Sequence, residues 1–141
     1  MKRLLGTVFK KRTSQEEDRG NDNRRHTGNR GESLAVTALK KRGYKILEQN
    51  YRSKLGEIDI IAAEGSVLAF VEVKARQTDQ FGDPKEAITP RKQRKISMVA
   101  LEYLKQTGQM ERSARFDVVA VRMSPGQPDV EIIKNAFDLA Y

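Results

Sequence analysis

Apolar and polar residues alternate in two neighbouring segments of the chain, residues 57–63 and 67–75. Ile, Val and Phe are frequent in both segments, and a period of two with these residue types is typical of β-strands. Glu64 and Gly65 lie between the segments, and Gly tolerates the positive φ that a tight turn requires. The pattern therefore predicts a β-hairpin whose turn is centred on Glu64 and Gly65.

Charged residues interrupt the apolar pattern of both predicted strands. Counting outward from the turn places Asp59 opposite Phe70 and Glu57 opposite Glu72. Side chains alternate between the two faces of a strand, so residues two positions apart share a face. One face of the hairpin therefore carries three acids and a base: Glu57, Asp59, Glu72 and Lys74.

The pattern alone leaves two interpretations of this charged face. Acids and lysines are common on the solvent-facing side of an antiparallel sheet, where they need no function. Leu68 and Phe70 share the face, however, which makes it apolar toward the turn and favours the edge of a pocket. Opposed carboxylates also repel each other unless a cation lies between them, so the second interpretation predicts a site for a hard metal ion.

The rest of the chain predicts helices and strands in the order αβββαβ. A first helix starts near Asn29 or Gly31, and a second covers residues 90–107 behind an N-cap at Thr89. Glu32 lies at the N-terminal end of the first helix, on the edge of its inward face. Further strands are predicted at residues 44–52, 115–121 and 130–137, the last of these as a short edge strand.

Composition narrows the chemistry. The chain has 141 residues, no cysteine and one histidine, and this length supports one domain of modest core. No apolar stretch approaches the ~20 residues of a membrane span, and the absence of cysteine is typical of a reducing compartment, so we expect a cytoplasmic protein without membrane association. His26 lies outside the patterned region, which disfavours His-based nucleases and serine-type triads. Carboxylate chemistry remains.

Positive charge is concentrated near the N-terminus. The net charge is +8, and residues 1–31 hold nine Lys or Arg against four acids. Such a balance favours a polyanionic partner such as nucleic acid. We predict that residues 1–29 form a basic, disordered arm and that residues 30–141 form the folded domain. The arm would neutralise phosphates without reading bases, and the alternative is a solubilising extension.

The charged face also matches a known motif. Asp59, followed thirteen positions later by Glu72 and then by Lys74, matches the D…ExK motif of the PD-(D/E)xK nucleases, whose common core is αβββαβ. The segments GEIDIIA, FVEVKAR, FGDP, ITPRKQRKI and RFDVVAV resemble, in this order, the YraN-like family of bacterial probable endonucleases. That family is similar to archaeal Holliday-junction resolvases. The resemblance covers roughly residues 30–141, and implies a restriction-endonuclease-like α/β fold with a central mixed sheet flanked by helices.

The resemblance also implies roles for individual residues. Asp59 and Glu72 become ligands of Mg²⁺ or Mn²⁺, with the main-chain carbonyl of Val73 as a further oxygen donor. Lys74 would position the attacking water or stabilise charge on the phosphorane. Glu32 matches a helix acid of the resolvase-like branch and would reach the metal through water. Without the resemblance, an acid in a first helical turn is explained by the helix dipole alone.

Three further residues are accessory candidates. Glu57 is an extra acid that could be a ligand, a partner of the basic residues at positions 52 and 54, or a negative gate. Lys92 and Gln93 resemble a lysine and a glutamine on the second helix of related nucleases. The tyrosine that follows this glutamine by four residues in one branch is Ser97 here, so that part of the pattern is incomplete. The predicted nucleic-acid-binding residues are Arg52, Ser53, Lys54, Arg76 and Arg91.

Together these features predict a metal-dependent endonuclease that hydrolyses DNA, with branched or structured DNA as one substrate class. The alternatives are a nucleic-acid-binding protein of the same fold that does not cut, and a structural adaptor that binds neither metal nor DNA. A double-strand cut at a junction needs two active sites. A homodimer through the second helix beyond Tyr103 and the C-terminal segment is therefore weighed against a monomer whose core these residues complete.

Overall fold

The computed structural model of the chain describes residues 19–77, 88–123 and 126–140. These residues contain two helices and five strands in the predicted order, αβββαβ followed by an edge strand. Their bounds are Arg19–Lys41 for α1, Lys45–Ser53 for β1, Gly56–Glu64 for β2, Val67–Arg76 for β3, Pro90–Gln106 for α2, Ala114–Arg122 for β4 and Asp129–Phe137 for β5.

The five strands form one mixed sheet in the order β1-β2-β3-β4-β5. β3 and β4 are parallel, and the other neighbouring strands are antiparallel. A parallel pair needs a crossover connection, which α2 supplies. The expectation of a mixed α/β protein with a central sheet is confirmed. In the described part of the chain, no helix combines the length and the apolar character needed to cross a membrane.

Each helix covers one face of the sheet with its apolar stripe. Ala35 and Leu39 of α1 pack in one core cluster, together with Ile60 and Val71 of the hairpin. The stripe of α2 packs in the other cluster, against Phe70 and its neighbours. The α2 stripe contains the residues predicted from the helical period: Ile96, Val99, Ala100, Tyr103 and Leu104.

The N-terminal end of α2 lies beside the charged face. Thr89 is its N-cap, and the Thr89 hydroxyl accepts a hydrogen bond from the Lys92 main-chain N–H at 3.1 Å. Pro90 is the first helical residue, and Thr107 is the C-cap. The predicted bounds of this helix are therefore confirmed.

The start of α1 differs from the prediction. The helix begins at Arg19 and not near Asn29 or Gly31. The prediction depended on apolar periodicity, which marks only the packed part of a helix, and the apolar stripe starts at Leu34. Residues 19–29 are thus helical in the structure, so Glu32 lies inside α1 and not in its first turn, while residues 1–18 of the predicted arm lie outside the described residues.

The turn of the hairpin lies one residue later than predicted. Glu64 pairs with Val67, so the two-residue turn consists of Gly65 and Ser66. Gly65 has φ 60°, a left-handed conformation that suits Gly at the first position of such a turn. The turn residue was therefore identified correctly, but its place in the turn was not.

This turn changes the pairing of the two strands. Phe70 pairs with Ile61, so the predictions that Asp59 lies opposite Phe70 and Glu57 opposite Glu72 are wrong. The register is shifted by two residues, from 59 to 61 as the partner of Phe70. A shift by an even number keeps the residues that share a face across the two strands together, whereas a shift by one would have placed them on opposite faces.

Candidate functional site

The hairpin opens at the end remote from its turn. Ile60 and Val71 form the last pair of the β2–β3 ladder, whereas β2 stays paired with β1 as far as Gly56. Asp59 follows that last pair, and its Oδ2 accepts a hydrogen bond from the main-chain N–H of Val73 at 2.8 Å. A side-chain carboxylate therefore joins the two strands where main-chain pairing has ended.

An irregularity in β1 lies beside Asp59. The ladder pairs on either side are Gln49 with Ile60 and Tyr51 with Ile58. Between them lies Asn50, which has φ 54°, a conformation that is uncommon for residues other than Gly and enriched in Asn. Strict alternation also breaks here, because Ile58 packs in the α2 cluster whereas Ile60 packs in the α1 cluster. The backbone around Asp59 is thus shaped by an Asn in a left-handed conformation.

Glu72 is the buried acid of the site, and two lysines approach one of its oxygens. The residue is 6% exposed. Lys92 Nζ lies 3.5 Å from Glu72 Oε2, and Lys74 Nζ lies 3.9 Å from the same atom. The predicted association of Glu72 with Lys74 on one face is present, and α2 adds Lys92 to it.

The acids of the hairpin resist ionisation. Burial raises the pKa of Glu72 to about 7, the charge of Asp59 adds to this, and the two lysines oppose it. Burial also raises the pKa of Asp59, although the N–H of Val73 favours its charged form. Two carboxylates that are costly to ionise together attract a cation, and such perturbed groups are frequent at functional sites.

Glu32 approaches this cluster from α1. Burial raises its pKa first, then the charges of Asp59 and Glu57, while a hydrogen bond with the side chain of Asn50 lowers it. The structure therefore brings Glu32 to the hairpin acids, as the resemblance implied. Its contact with Asn50 links α1 to the irregular residue of β1.

Gly31 sets how closely α1 approaches β3. A Cβ at this position would lie 2.6 Å from the Cβ of Ala75, a separation that real Cβ contacts do not show. Because Glu32 follows Gly31 directly, the missing side chain at position 31 determines how near Glu32 comes to the other acids. The glycine is thus a positioning residue of the site.

A cleft of about 510 Å³ lies between the β1–β2 hairpin and the first turns of α2. Its charged lining residues are Arg52, Glu57, Asp59, Lys92 and Lys95. Arg52 Nε lies 3.3 Å from Glu57 Oε1, and both side chains are largely exposed, so this ion pair contributes little to stability. Of the roles considered for Glu57, pairing with Arg52 is the one present in the structure.

The predicted nucleic-acid-binding residues lie in two places. Arg52 and Ser53 line the cleft, Lys54 occupies the adjacent exposed turn, and Arg91 is exposed on the first turn of α2. Arg76 is the last residue of β3, away from the lining of the cleft. The FGDP segment of the resemblance, residues 81–84, lies outside the described residues.

Gln93 and Ser97 have structural contacts. The side-chain amide of Gln93 donates a hydrogen bond to the carbonyl of Ile88 at 2.9 Å, which fixes the segment that enters α2. Ser97 Oγ accepts a hydrogen bond from the N–H of Ala140 at 2.9 Å, which holds the C-terminal segment against α2. Of the two helix residues predicted as accessory, Lys92 is the one that the structure brings to the acids.

The donor set bears on which metal could bind. Within residues 29–77, 88–123 and 126–140, no three His, Cys, Asp or Glu side chains are grouped to hold a metal ion. Asp59 and Glu72 offer two carboxylates, and the carbonyl of Val73 is the adjacent oxygen. Mg²⁺ keeps several waters and needs only one or two carboxylates, whereas structural Zn²⁺ sites need four protein ligands. The residues present fit Mg²⁺ or Mn²⁺.

Three residues of this site were not predicted from the sequence: Gly31, Asn50 and Lys95. The signals were a helical glycine beside an acid, an asparagine within a strand and a lysine one turn after Lys92. Each signal becomes informative only when strand register and helix position are known, because all three act through neighbours that are distant in sequence.

The fold and this cluster define a mixed α/β protein with a carboxylate and lysine site at the open end of a β-hairpin. The model of the family described as "Uncharacterised protein family UPF0102" matches residues 31–121, which include every residue of the cluster. The chain belongs to the UPF0102 family.

Relatives of the same family match most of the chain. A UPF0102 protein from Geobacter metallireducens is 50% identical over 114 residues, which cover 81% of this chain and 93% of the relative. One from Desulfosudis oleivorans is 54% identical over 115 residues, covering 82% and 92%. One from Caldicellulosiruptor saccharolyticus is 50% identical over 117 residues, covering 82% and 99%. The similarity therefore extends over nearly the whole length of each relative.

Proposed function

We propose that this protein is a metal-dependent endonuclease that hydrolyses phosphodiester bonds in DNA. The observation that carries the proposal is the convergence of Asp59, Glu72 and Lys74 at the open end of the hairpin, beside a cleft with basic residues. The D…ExK spacing, the resemblance to the YraN-like family and the order αβββαβ support it. A restriction-endonuclease-like fold is part of the same proposal.

The acids would hold the metal. Asp59, Glu72 and the carbonyl of Val73 would bind Mg²⁺ or Mn²⁺, and Glu32 would act through a water molecule. When bound, such an ion supplies an activated water and stabilises the negative charge that develops on the phosphate. The raised pKa of Glu72 implies that binding strengthens as pH rises through about 7, because the carboxyl group must lose its proton.

Lys74 is the proposed cationic group of the reaction. It lies on the same strand and face as Glu72, and its side chain is 24% exposed. In this shielded position an ammonium group orients the attacking water or stabilises charge on the phosphate oxygens more strongly than it would in bulk water. Replacing Lys74 should therefore reduce the rate more than the affinity for DNA.

The cleft would hold the DNA backbone. Arg52, Lys92 and Lys95 line it, and exposed Lys54 and Arg91 lie beside it. Lys and Arg contacts to phosphates supply affinity that depends on salt and is largely independent of sequence. A cytoplasmic location is part of the same proposal. Branched or structured DNA is the substrate class that the similarity to resolvases supports.

One observation favours a second function, nucleic-acid binding without cleavage. Lys92 and Lys74 lie 3.5 and 3.9 Å from the same oxygen of Glu72, so this carboxylate has cationic partners without a metal. A protein that only binds DNA would use the same basic cleft and would need no metal. The two functions differ in whether the protein cuts DNA at all. If it does, substitutions of the carboxylates should reduce that cutting.

Cleavage assays distinguish these functions. Pure protein is incubated with plasmid, a four-way junction, a flap and single strands, in Mg²⁺, Mn²⁺ or EDTA. We expect cutting only with a divalent ion, and we expect Asp59→Asn and Glu72→Gln to reduce it by at least about a hundredfold, since each removes a metal ligand. Both variants should bind DNA as tightly as the wild type or more tightly, because a negative charge beside the phosphate is lost.

Asp138→Asn and Glu111→Gln replace exposed acids and are the matched controls. Cleavage that persists in EDTA, or in both site variants, would refute the proposed site.

A further inference from the structure

Two lysines share one oxygen of a buried acid, and they are held there differently. Lys74 projects from the central strand β3, two positions after Glu72, and is 24% exposed. Lys92 projects from the first turn of α2, and its side chain is 45% exposed. A buried carboxylate is costly without a compensating cation, so both lysines lower the cost of Glu72 in the absence of a metal.

The position of Lys92 is unfavourable apart from this contact. Cations are disfavoured in the first turn of a helix, where the dipole is positive, and the first turn of α2 contains no acid that could offset the charge. The lysine comes to Glu72 from α2, and it also lines the cleft with Lys95. Glu72 forms the ion pair that holds the Lys92 ammonium in the site, and the charge of Asp59 adds to this attraction.

We infer that Lys92 is the internal counter-cation of the metal-free site, and that a divalent ion at Glu72 displaces it toward the DNA backbone. This inference rests on the proposed function. An ion with two positive charges beside Glu72 repels the nearby ammonium, which is on a long, flexible side chain and is half-exposed. The released lysine then faces the cleft, where a phosphate replaces Glu72 as its partner. Metal binding thereby adds a DNA contact, and DNA binding helps to keep the metal site open.

This coupling predicts two effects that a simple DNA-binding lysine would not show. First, Lys92→Gln should tighten binding of Mn²⁺ to the protein without DNA by about three- to tenfold, since a competing charge is removed. Second, Lys92→Gln should weaken DNA binding when a divalent ion is present but have little effect in EDTA, where the wild-type lysine is held by Glu72. Lys95→Gln is the matched control, because Lys95 also lines the cleft but is not among the residues that contact Glu72 in the structure.

The measurements need no cleavage. Mn²⁺ affinity is measured by titration calorimetry on DNA-free protein, and DNA affinity by fluorescence anisotropy in EDTA and in Ca²⁺, which binds oxygen ligands. For Lys95→Gln we expect an unchanged Mn²⁺ affinity and equal weakening of DNA binding in both solutions. Lys92→Arg keeps the charge and should behave like the wild type in Mn²⁺ binding.

Each outcome separates the inference from the function on which it rests. If wild type and Lys92→Gln bind Mn²⁺ equally, or if Lys92→Gln weakens DNA binding equally in EDTA and Ca²⁺, the displacement is refuted while the metal site stands. If neither the wild type nor any variant binds Mn²⁺, the metal site and the displacement are both refuted. Tighter Mn²⁺ binding together with an ion-dependent loss of DNA affinity supports both.

Discussion

At the scale of single residues, ionising the buried carboxyl group of Glu72 without a metal costs free energy of folding. The pKa of Glu72 is raised from its ordinary value of 4.5 to about 7, by burial first and then by Asp59. Between these two values the folded protein holds a proton that the unfolded chain has lost. The contribution of Glu72 to stability is therefore most favourable below about pH 4.5 and is lost as pH rises to about 7.

Glu72→Gln should remove this loss in the metal-free protein. In EDTA at pH 8 we expect the free energy of unfolding to increase by at most about 3 kcal/mol, from ~1.4 kcal/mol for each unit of pKa shift. Near pH 4.5 the difference should disappear, because the wild-type carboxyl is then protonated in the folded state. Urea unfolding at both pH values measures the difference in free energy of unfolding between Glu72→Gln and the wild type, with Glu111→Gln as the control. A variant that is less stable than wild type at pH 8 would mean that the two lysine contacts outweigh the cost of burial.

Several of these residues could be predicted because strand alternation depends on the local sequence alone. The grouping of Asp59, Glu72 and Lys74 follows from a period of two, and it survived an error of two residues in the register. The contact between Lys92 and Glu72 joins residues on α2 and β3. A local period says nothing about contacts between elements that are distant in sequence. The left-handed φ of Asn50 also depends on its strand neighbours, so neither feature could be derived from the sequence.

At the scale of elements, the approach of α1 to the sheet decides whether Glu32 reaches the site. Replacing a glycine inside a helix by alanine ordinarily stabilises a protein by up to about 1 kcal/mol. For Gly31→Ala we expect the opposite sign, a loss of about 1–3 kcal/mol, because the new Cβ would lie 2.6 Å from the Cβ of Ala75. The helix must shift to relieve this contact, and Glu32 shifts with it.

A double-mutant cycle tests this contact. Ala75→Gly removes the atom that the new Cβ would meet, so it should restore stability in the Gly31→Ala background even though it costs some stability alone. Urea unfolding of the four proteins gives the coupling free energy. If Gly31→Ala by itself stabilises the protein, the helix does not press on β3 at this position, and helix propensity governs the site.

The elements also show where sequence patterns are informative. α2 was predicted to within a residue because a cap, a proline and an apolar stripe all mark it. The start of α1 was missed because its N-terminal residues carry no apolar stripe in the sequence, and apolar periodicity is the signal from which a helix is predicted. The five strands and their order along the chain were predicted from residue patterns. The register of the hairpin depended on the conformation of the turn at Gly65.

At the scale of the whole molecule, a second polar cluster lies away from the cleft. Asp117 is fully buried and accepts hydrogen bonds from the Tyr44 hydroxyl at 3.0 Å, from Arg115 Nε at 2.9 Å and from the Asn135 N–H at 3.0 Å. Burial raises the pKa of Tyr44 to about 12, and the charge of Asp117 adds to this. These hydrogen bonds satisfy the Asp117 carboxylate and join β4, β5 and the residue that precedes β1. The aspartate of the RFDVVAV segment therefore has a structural role.

The C-terminal segment largely completes the core of its own chain. The Phe137 ring stacks on that of Phe116 with centroids 4.9 Å apart, and Ile132 packs against the α1 cluster. Leu139 of this segment remains 40% exposed. An interface built from this segment would therefore be small, and stable complexes usually bury about 1,200 Å² or more. We expect the free protein to be a monomer.

A double-strand cut at a junction nevertheless requires two copies, because the described residues of each chain contain one cluster of Asp59, Glu72 and Lys74. We expect sedimentation at micromolar concentration to show a monomer without DNA and two copies on a four-way junction, since two adjacent sites on one DNA raise the effective concentration enough to support a weak contact. Leu139→Lys places a charge in that contact, and should abolish paired cuts while leaving single-strand nicking unchanged. Linear duplex of equal length is the control for crowding on the DNA. A single copy on the junction would exclude paired resolution and leave nicking or flap cleavage, whereas a dimer without DNA that tolerates Leu139→Lys would place the interface on another surface.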